Sequence, residues 1–301
     1  MTLRFLLALG LLVSLPVLAQ EIEPRRWTPL PLGTQVVGVG YGHSFGDVAF
    51  DPALQIEGAQ AQINTVGASY VVPFNAFGKL ARFDTLLPYQ TGRWEGLLQG
   101  NPASTERSGL GDPQFRLSLN IAGTPAMDGA TMRKHLATQP VNTQVGIALA
   151  VSVPLGQYDK TRLLNLGRNR YTVQPQFGIL HNRGLWSYEL TGSAFVFTDN
   201  KAFYNGNTFS QKTLLGLQAH IIRRFNTGHW LSASYGQGLG GESSVNGVAS
   251  DDDTENRAYA LSLGIPLAKK QSIKVVFIHS ETHRYTGADL QTVALAWSIL
   301  Y

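Results

Sequence analysis

The sequence predicts an all-β protein that forms a closed antiparallel transmembrane β-barrel of about 12 strands. Two observations support this prediction: large and small side chains alternate along most of the chain after residue 34, and the connections alternate between short turns and long polar loops. The mean hydropathy of −0.04 excludes a polytopic helical membrane protein. It does not exclude a barrel, because barrel strands place apolar and polar residues at alternate positions.

A period-two alternation defines each predicted strand. In 112–121 the odd-numbered positions are apolar and the even-numbered positions are polar. The same pattern predicts strands at 35–45, 62–72, 79–89, 112–121, 143–153, 171–182, 185–198, 212–224, 229–237, 256–266, 271–280 and 289–301. In 271–280 the facing is ambiguous, because Val275, Val276 and Phe277 are consecutive apolar residues.

The links between these strands alternate in length. Short links follow the second, sixth, eighth and tenth strands, whereas long polar links such as 90–108 and 237–255 follow odd-numbered strands. Transmembrane barrels have short periplasmic turns and longer extracellular loops, so this pattern is typical of them. The link 123–142 is long where a short turn is expected, and it is predicted to hold a short periplasmic helix.

A β-sandwich would also have alternating strands. Its polar faces would point to solvent and would carry many Lys and Glu residues. Here the minor face consists mainly of Gly, Ala, Ser, Thr, Gln and Asn, with isolated charges. That composition favours the narrow polar interior of a barrel over a sandwich.

The first 33 residues divide into two predicted segments. Arg4 and the apolar run 5–17 indicate a signal peptide at 1–19, with cleavage before Gln20. Residues 20–33 then form a short periplasmic N-terminal segment, too short for a plug domain, whose EPRRWTPLPLG stretch is expected to line the periplasmic mouth. The transmembrane β-barrel is expected to occupy 34–301.

Composition limits the chemistry that the chain offers. The absence of cysteine excludes disulfides, thiolate metal sites and cysteine nucleophiles. A formal net charge of +4 is too small to indicate nucleic-acid binding. The 7 histidines show no metal-ligand spacing. We therefore expect no metal, no cofactor, no catalytic residues and no enzyme activity.

Polar residues on the predicted inner face are candidates for lining the lumen and selecting solutes. They are Arg82, Asp84, Asp112, Arg116, Gln174, Gln176, Glu189, Gln218 and His220. Hairpin pairing between residue numbers that sum to about 200 would place Asp84 opposite Arg116, and similar counting brings Glu189 close to His220. The first pair could form a charged constriction or a structural salt bridge. The second could be a pore-lining or a structural pair.

The chain ends with the same alternation. Large apolar residues occupy every second position of the last predicted strand: Val293, Leu295, Trp297, Ile299 and Tyr301. We expect them to face acyl chains while this strand closes the barrel against the first strand. The ending also resembles the C-terminal signal that the barrel assembly machinery recognises in outer-membrane proteins, with tyrosine in place of the commoner phenylalanine.

Several stretches resemble a family of bacterial outer-membrane "transporter" proteins named for the meta pathway of phenol degradation. The matching pieces include GKLARFDTLLPY (78–89), GLGDPQFRLSLNIAGTPAM (109–127) and VPLGQYDKTRLLNLGRNRY (153–171). Together with further pieces, they extend over nearly the whole chain after residue 20. The resemblance implies an outer-membrane channel that passes small organic molecules, often aromatic or hydrophobic.

The resemblance also implies a location and partners. The location is the outer membrane of a Gram-negative bacterium, and the partners are outer-membrane lipids, lipopolysaccharide, the barrel assembly machinery and a small-molecule solute. Two alternatives stay open: an outer-membrane lipid-acting enzyme with a Ser–His pair at the membrane rim, and a non-conducting structural barrel. The oligomeric state is not predicted.

Overall fold

A computed structural model describes residues 22–50 and 55–301, so the predicted signal peptide at 1–19 lies outside the described residues. A helix α1 spans Gly129–Ala137 and a short 3-10 helix spans Tyr204–Gly206. The strands of the described residues, in chain order, are β1 Val36–Ala49, β2 Ile56–Ala76, β3 Lys79–Leu98, β4 Asn101–Leu110, β5 Gln114–Ala122, β6 Val141–Ser152, β7 Thr172–Arg183, β8 Trp186–Phe197, β9 Asn200–Phe203, β10 Asn207–Gln211, β11 Leu214–Arg224, β12 Trp230–Gly240, β13 Ser243–Val245, β14 Val248–Ala249, β15 Thr254–Ala268, β16 Gln271–Thr282 and β17 Gly287–Leu300.

The strands close into an antiparallel barrel, as the sequence predicts. β1 pairs with β2 on one side and with β17 on the other, and β2 pairs in turn with β3. The pairing of β1 with β17 runs without interruption from Val36↔Leu300 to Ala49↔Gly287. A 12-strand barrel therefore satisfies the backbone groups of its first and last strands, leaving no open edge between them.

The two ends of the barrel differ. The turn end holds the start of β1, the end of β17 and the links β2–β3, β5–β6, β7–β8, β11–β12 and β15–β16. Within the β5–β6 link, α1 forms as predicted, and the carboxylate of Asp128 caps it by accepting the N–H groups of Ala130 and Thr131. The loop end holds the longer connections and a small sheet in the order β14-β13-β10-β9.

The barrel wall is taller on one side at the loop end. β2 has 21 residues and β3 has 20, whereas β6 has 12. At about 3.3 Å per residue, β2 is therefore roughly 30 Å longer than β6. The prediction of a loop at 90–108 is wrong: the upper half of β3 continues through it and pairs with β4 across a turn at Gln99 and Gly100.

Side chains alternate between the two faces of the wall. Side chains at outward positions are large and exposed, for example those of Leu117, Leu149 and Leu295. Inward positions include buried polar side chains such as Gln174 and Ser232. No helix within residues 22–50 and 55–301 has the length and apolar composition needed to span a bilayer.

Candidate functional site

The segment that precedes β1 lies inside the barrel. Ile22 and Trp27 are 6% and 3% exposed, and both contact side chains on the inner face of the wall. Residues 22–27 therefore extend beyond the mouth that this segment is expected to line, whereas Leu32 stays at the turn end, where its N–H donates to the carbonyl of Met127. A plug does not need a domain of its own, because a short segment can dock into space that small side chains leave in the lumen.

Trp27 occupies a notch formed by two glycines on neighbouring strands. A Cβ atom at Gly178 of β7 would lie 2.0 Å from Nε1 of Trp27, and one at Gly146 of β6 would lie 2.5 Å from Cε3. The indole also packs on Leu180, and its Nε1–H donates to Oγ1 of Thr191 at 2.8 Å. No side chain larger than hydrogen would fit at either glycine while the indole stays in this position.

Carboxylates hold the backbone and the charges of the same segment. Glu189 on β8 accepts the N–H of Arg26 at 3.0 Å and lies 3.5 Å from the N–H of Trp27. Glu23 accepts from Nζ of Lys274 on β16 and from Nη2 of Arg26, each at 3.0 Å. The charges of Lys274 and Arg26 hold the pKa of Glu23 well below its usual range. Two strands that are four positions apart in the barrel, β8 and β16, thus bind one segment.

Ile22 contacts an apolar patch on the inner face. Ala258 and Ala260 of β15 and Ile278 of β16 pack against it, and the space above Gly236 of β12 receives its side chain. This patch accounts for one of the residues that break the alternation in 271–280. Ile278 is apolar at an inward position of β16 because it packs against the cluster that contains Ile22.

A network of charged side chains lies beside Trp27. Asp84 is directly opposite Arg116 in the register of β3 and β5, as hairpin counting predicts. Nη1 of Arg116 donates to Asp84 at 3.2 Å and its Nε donates to Gln176 at 2.8 Å. Arg82 donates to the same Asp84 at 3.1 Å. The guanidinium of Arg116 lies 4.7 Å from the Trp27 ring centroid, a distance typical of a cation–π contact.

Little free space remains between the segment and this side of the wall. The cavity bounded by residues 26–30, Pro73, Leu80, Arg82 and Ser118 measures about 10 Å³. That is at the lower limit of the volume that holds one water molecule. The segment therefore packs closely against β3 and β5 at the turn end.

Glu189 and His220 are directly opposite each other on β8 and β11, so this predicted pair is also confirmed. Nδ1 of His220 is 2.8 Å from Oγ of Ser234, while its Nε2 has no hydrogen-bond partner in the described residues. This Ser–His contact is buried and faces the lumen, not the membrane rim. The carboxylate that could orient the histidine instead binds the backbone of the N-terminal segment.

The remaining predicted residues divide between wall and loop. Gln174 is buried on the inner face and Gln218 lies on the inner face of β11. Asp112 differs from the prediction, because it precedes β5 and binds a loop instead of lining the lumen. Its carboxylate accepts the N–H of Gly156 at 2.9 Å and of Arg168 at 2.8 Å. Burial raises its pKa, and the two backbone hydrogen bonds oppose that shift.

The loop at 153–171 folds over the loop end of the lumen. Leu164 and Leu166 pack against Trp94, which is buried on the inner side of β3. Nε of Arg107 on β4 donates to the carbonyl of Leu164 at 3.0 Å. The loop starts at β6 and contacts β4 and β3, of which β3 is two strands away, so it covers part of the mouth on this side. The sequence predicts a polar connection here and does not predict these contacts.

A family model described as "Putative MetA-pathway of phenol degradation" matches residues 44–277. The chain belongs to this family. The match includes β2 to β15 entirely and therefore most of the inner wall described above. It confirms the family that the sequence resembles. Among curated proteins, no match was found.

The chain is similar to several solved structures, to different degrees. The COG4313 outer membrane channel from Pseudomonas putida F1 is similar over 93% of this chain and 100% of that chain, with 21% identity and a TM-score of 0.78. The transport unit of the autotransporter AIDA-I from Escherichia coli matches 89% of this chain and 90% of that chain, with 10% identity and a TM-score of 0.49. The beta domain of the Bordetella autotransporter BrkA matches 89% and 99%, with 11% identity and a TM-score of 0.47.

Proposed function

We propose that this member of the phenol-degradation family is an outer-membrane channel for small organic molecules, possessing a lumen that its own N-terminal segment closes at rest. The observation that carries the proposal is a polar inner wall filled by a docked segment instead of a continuous apolar core. A structural barrel would be expected to fill its interior with side chains from the wall itself.

The family and the lumen together favour aromatic solutes. The family description names phenol degradation. Within the lumen, Trp27 lies against Arg116 and the Gly146–Gly178 notch, a site that accepts a planar aromatic ring. When the segment leaves, the notch, the Arg116 guanidinium and Thr191 become available to a ring carrying a hydroxyl or carboxylate group. Arg82, Asp84 and Gln176 would then select among such solutes by charge.

The turn end would face the periplasm and the loop end the exterior, as short turns and long loops do in outer-membrane barrels. The outward large residues of β17 would meet acyl chains, and the ending at Tyr301 would be recognised by the barrel assembly machinery. Lipopolysaccharide would surround the taller wall of β2, β3 and β4. These assignments rest on the fold and on the pattern of β17.

Conductance in planar bilayers tests the proposal. The protein is expected to show a small conductance that rises when residues 20–33 are deleted, and liposomes containing the deletion variant should swell faster in phenol or benzoate. The unaltered barrel provides the control. No conductance and no solute entry in either form would contradict a channel and would favour the structural barrel.

The alternative of a lipid-acting enzyme has a specific test as well. Ser234 and His220 are the residues to change, because their Oγ and Nδ1 atoms are 2.8 Å apart. Phospholipid hydrolysis by the purified protein that disappears in Ser234→Ala would support the enzyme. We expect no such dependence, since both side chains are buried away from lipid.

A further inference from the structure

The turn end of the barrel is strongly basic. Six cations lie in or beside its hairpin turns: Lys79, Arg183, Arg223, Arg224, Lys269 and Lys270. Helix α1 adds Arg133 and Lys134, both exposed. We call these eight residues the basic collar. Outside the lumen, the described residues of this end carry one side-chain carboxylate, Asp128, and it caps α1.

The collar cations have no acidic partners. In the described part of the chain, no ion pair joins any of the eight to a carboxylate. At the loop end, by contrast, Arg162, Lys212 and Arg284 each pair with a carboxylate. These loop-end cations are neutralised within the chain, whereas the collar cations can bind anions from outside it.

The collar extends around most of the barrel. Each of the five links at the turn end contributes at least one of its cations, so the charge is spread around the circumference except at the junction of β17 with β1. Lys79, Arg183 and Arg223 occupy outward positions at the ends of their strands. A globular protein partner would contact one side of such a ring, whereas lipid headgroups surround all of it.

Aromatic side chains lie at the level of the collar. The guanidinium of Arg223 is 4.9 Å from the centroid of the outward-facing Trp186 ring. Phe77 at a turn tip is 101% exposed, and Phe225 in another turn is also exposed. Aromatic rings beside cations are the arrangement of a membrane–water interface, where rings enter the headgroup region and cations meet phosphates.

From this geometry we infer that the basic collar binds the headgroups of anionic phospholipids in the membrane leaflet at the turn end. Each Lys or Arg near a negatively charged lipid surface contributes about 1 kcal/mol, equivalent to about fivefold in relative affinity. The inference rests on membrane insertion as proposed above, but not on transport. It assigns the turn end a lipid preference that the loop end lacks.

Quenching of tryptophan fluorescence by brominated lipids tests this inference. The full chain is folded into phosphatidylcholine vesicles that contain brominated phosphatidylglycerol, or brominated phosphatidylcholine as reference. The ratio of quenching gives the relative association constant for the anionic lipid. Two variants remove collar charge, Lys269→Gln/Lys270→Gln and Arg183→Gln/Arg223→Gln. The matched control, Lys160→Gln/Lys201→Gln, removes the same charge from exposed positions at the loop end.

We expect the protein to prefer phosphatidylglycerol, and both collar variants to lower that preference by up to about fivefold per cation, more at low salt than at high salt. The control variant should keep it. No preference in the unaltered protein, or an equal loss in all three variants, would overturn the inference. An unchanged preference in the collar variants would also overturn it and would point to an acidic protein partner.

Failure of this inference is separable from failure of the channel. Vesicle folding is checked by gel electrophoresis, in which the compact unheated barrel migrates faster than the heat-unfolded chain. Conductance is measured in phosphatidylcholine alone, where no anionic lipid is present. A conducting protein without lipid preference contradicts only the collar, and a lipid-selective protein without conductance contradicts only the channel.

Discussion

The indole Nε1 of Trp27 donates a hydrogen bond to Oγ1 of Thr191 at 2.8 Å. This bond joins a segment that precedes the first strand to the middle of the inner wall. It also fixes the orientation of a ring that lies between two glycines and beneath Arg116. Among the contacts that dock residues 22–33, those of the Trp27 side chain therefore contribute the most.

Trp27→Ala should release the N-terminal segment. Replacing a buried large aromatic side chain by alanine costs about 3–5 kcal/mol, and here the loss weakens docking instead of barrel closure. Single-channel conductance should rise, and the barrel should still migrate as a folded species. Trp186→Ala is the control, because Trp186 faces outward at the turn end. Equal conductance in both variants would contradict the role of Trp27.

Gly178→Ala tests the same contact from the barrel wall and should displace the Trp27 side chain. The added Cβ would lie 2.0 Å from Nε1, closer than any non-bonded contact allows. Gly192→Ala is a matched control, since a Cβ there meets nothing within 4 Å. The chain has 0 cysteines, so Thr28→Cys in each background reports exposure by maleimide labelling. Faster labelling is expected with Gly178→Ala alone.

Arg116 and Trp27 should be energetically coupled. Arg116→Ala removes the cation above the indole and leaves Asp84 with Arg82 as its remaining partner in the network. A double-mutant cycle on labelling of Thr28→Cys should give a coupling free energy of about 0.5–3 kcal/mol, as expected for residues in direct contact. Additive effects would show that Arg116 acts on the solute path alone. In that case, Arg116→Ala should change the ion selectivity of the channel without changing the labelling rate of Thr28→Cys.

Asp112→Ala should free the loop at 153–171. The carboxylate accepts two backbone N–H groups from this loop, and each hydrogen bond to a charged group contributes about 1.5–3 kcal/mol. Trypsin should then cleave faster after Lys160 or Arg162, while the rest of the barrel stays resistant. Asp199→Ala changes charge at the same end without removing these bonds. Cleavage that accelerates equally in both variants would argue against an anchor.

Tyr301 should be needed for assembly more than for stability. Deletion of Tyr301 removes the proposed end of the assembly signal and the hydrogen bond from its N–H to the carbonyl of Gln35. Tyr301→Phe keeps both the aromatic ring and the backbone. We expect folded barrel in the outer membrane to fall on deletion and to be unaffected by Tyr301→Phe. Refolding of the purified deletion variant into vesicles should proceed normally.

The strands of the wall could be predicted from the sequence because they depend on patterns between residues that are close together in the chain. Alternation defines each strand, and adjacent strands joined by turns fix their own register, which is why Asp84 opposite Arg116 and Glu189 opposite His220 are both found. The predicted strand 112–121 begins later in the structure, at Gln114, because Asp112 binds a loop. The sequence around a carboxylate at the start of a strand does not indicate whether the carboxylate will line the lumen or bind a loop.

The docked segment could not be predicted in the same way. Its contacts join residues near the start of the chain to at least seven strands, β5 to β8, β12, β15 and β16, many of which are far apart in sequence. The signal was nevertheless present: Gly146 and Gly178 are at inward positions, and Ile278 is apolar where a polar side chain is expected. Glycine on an inner face is equally compatible with strand curvature, so the pattern alone does not distinguish a bend from a binding notch.

The notch has a consequence for how this family can diverge. Because the indole of Trp27 occupies space that any Cβ at Gly146 or Gly178 would need, these three positions cannot change independently. Relatives that keep a tryptophan in the N-terminal segment should keep glycine at both wall positions, and relatives with larger wall residues should have a smaller residue in the segment. An alignment of family members would then show correlated substitutions between a position in the N-terminal segment and two strands of the barrel. Such a correlation would identify, from sequences alone, which relatives share this docked segment.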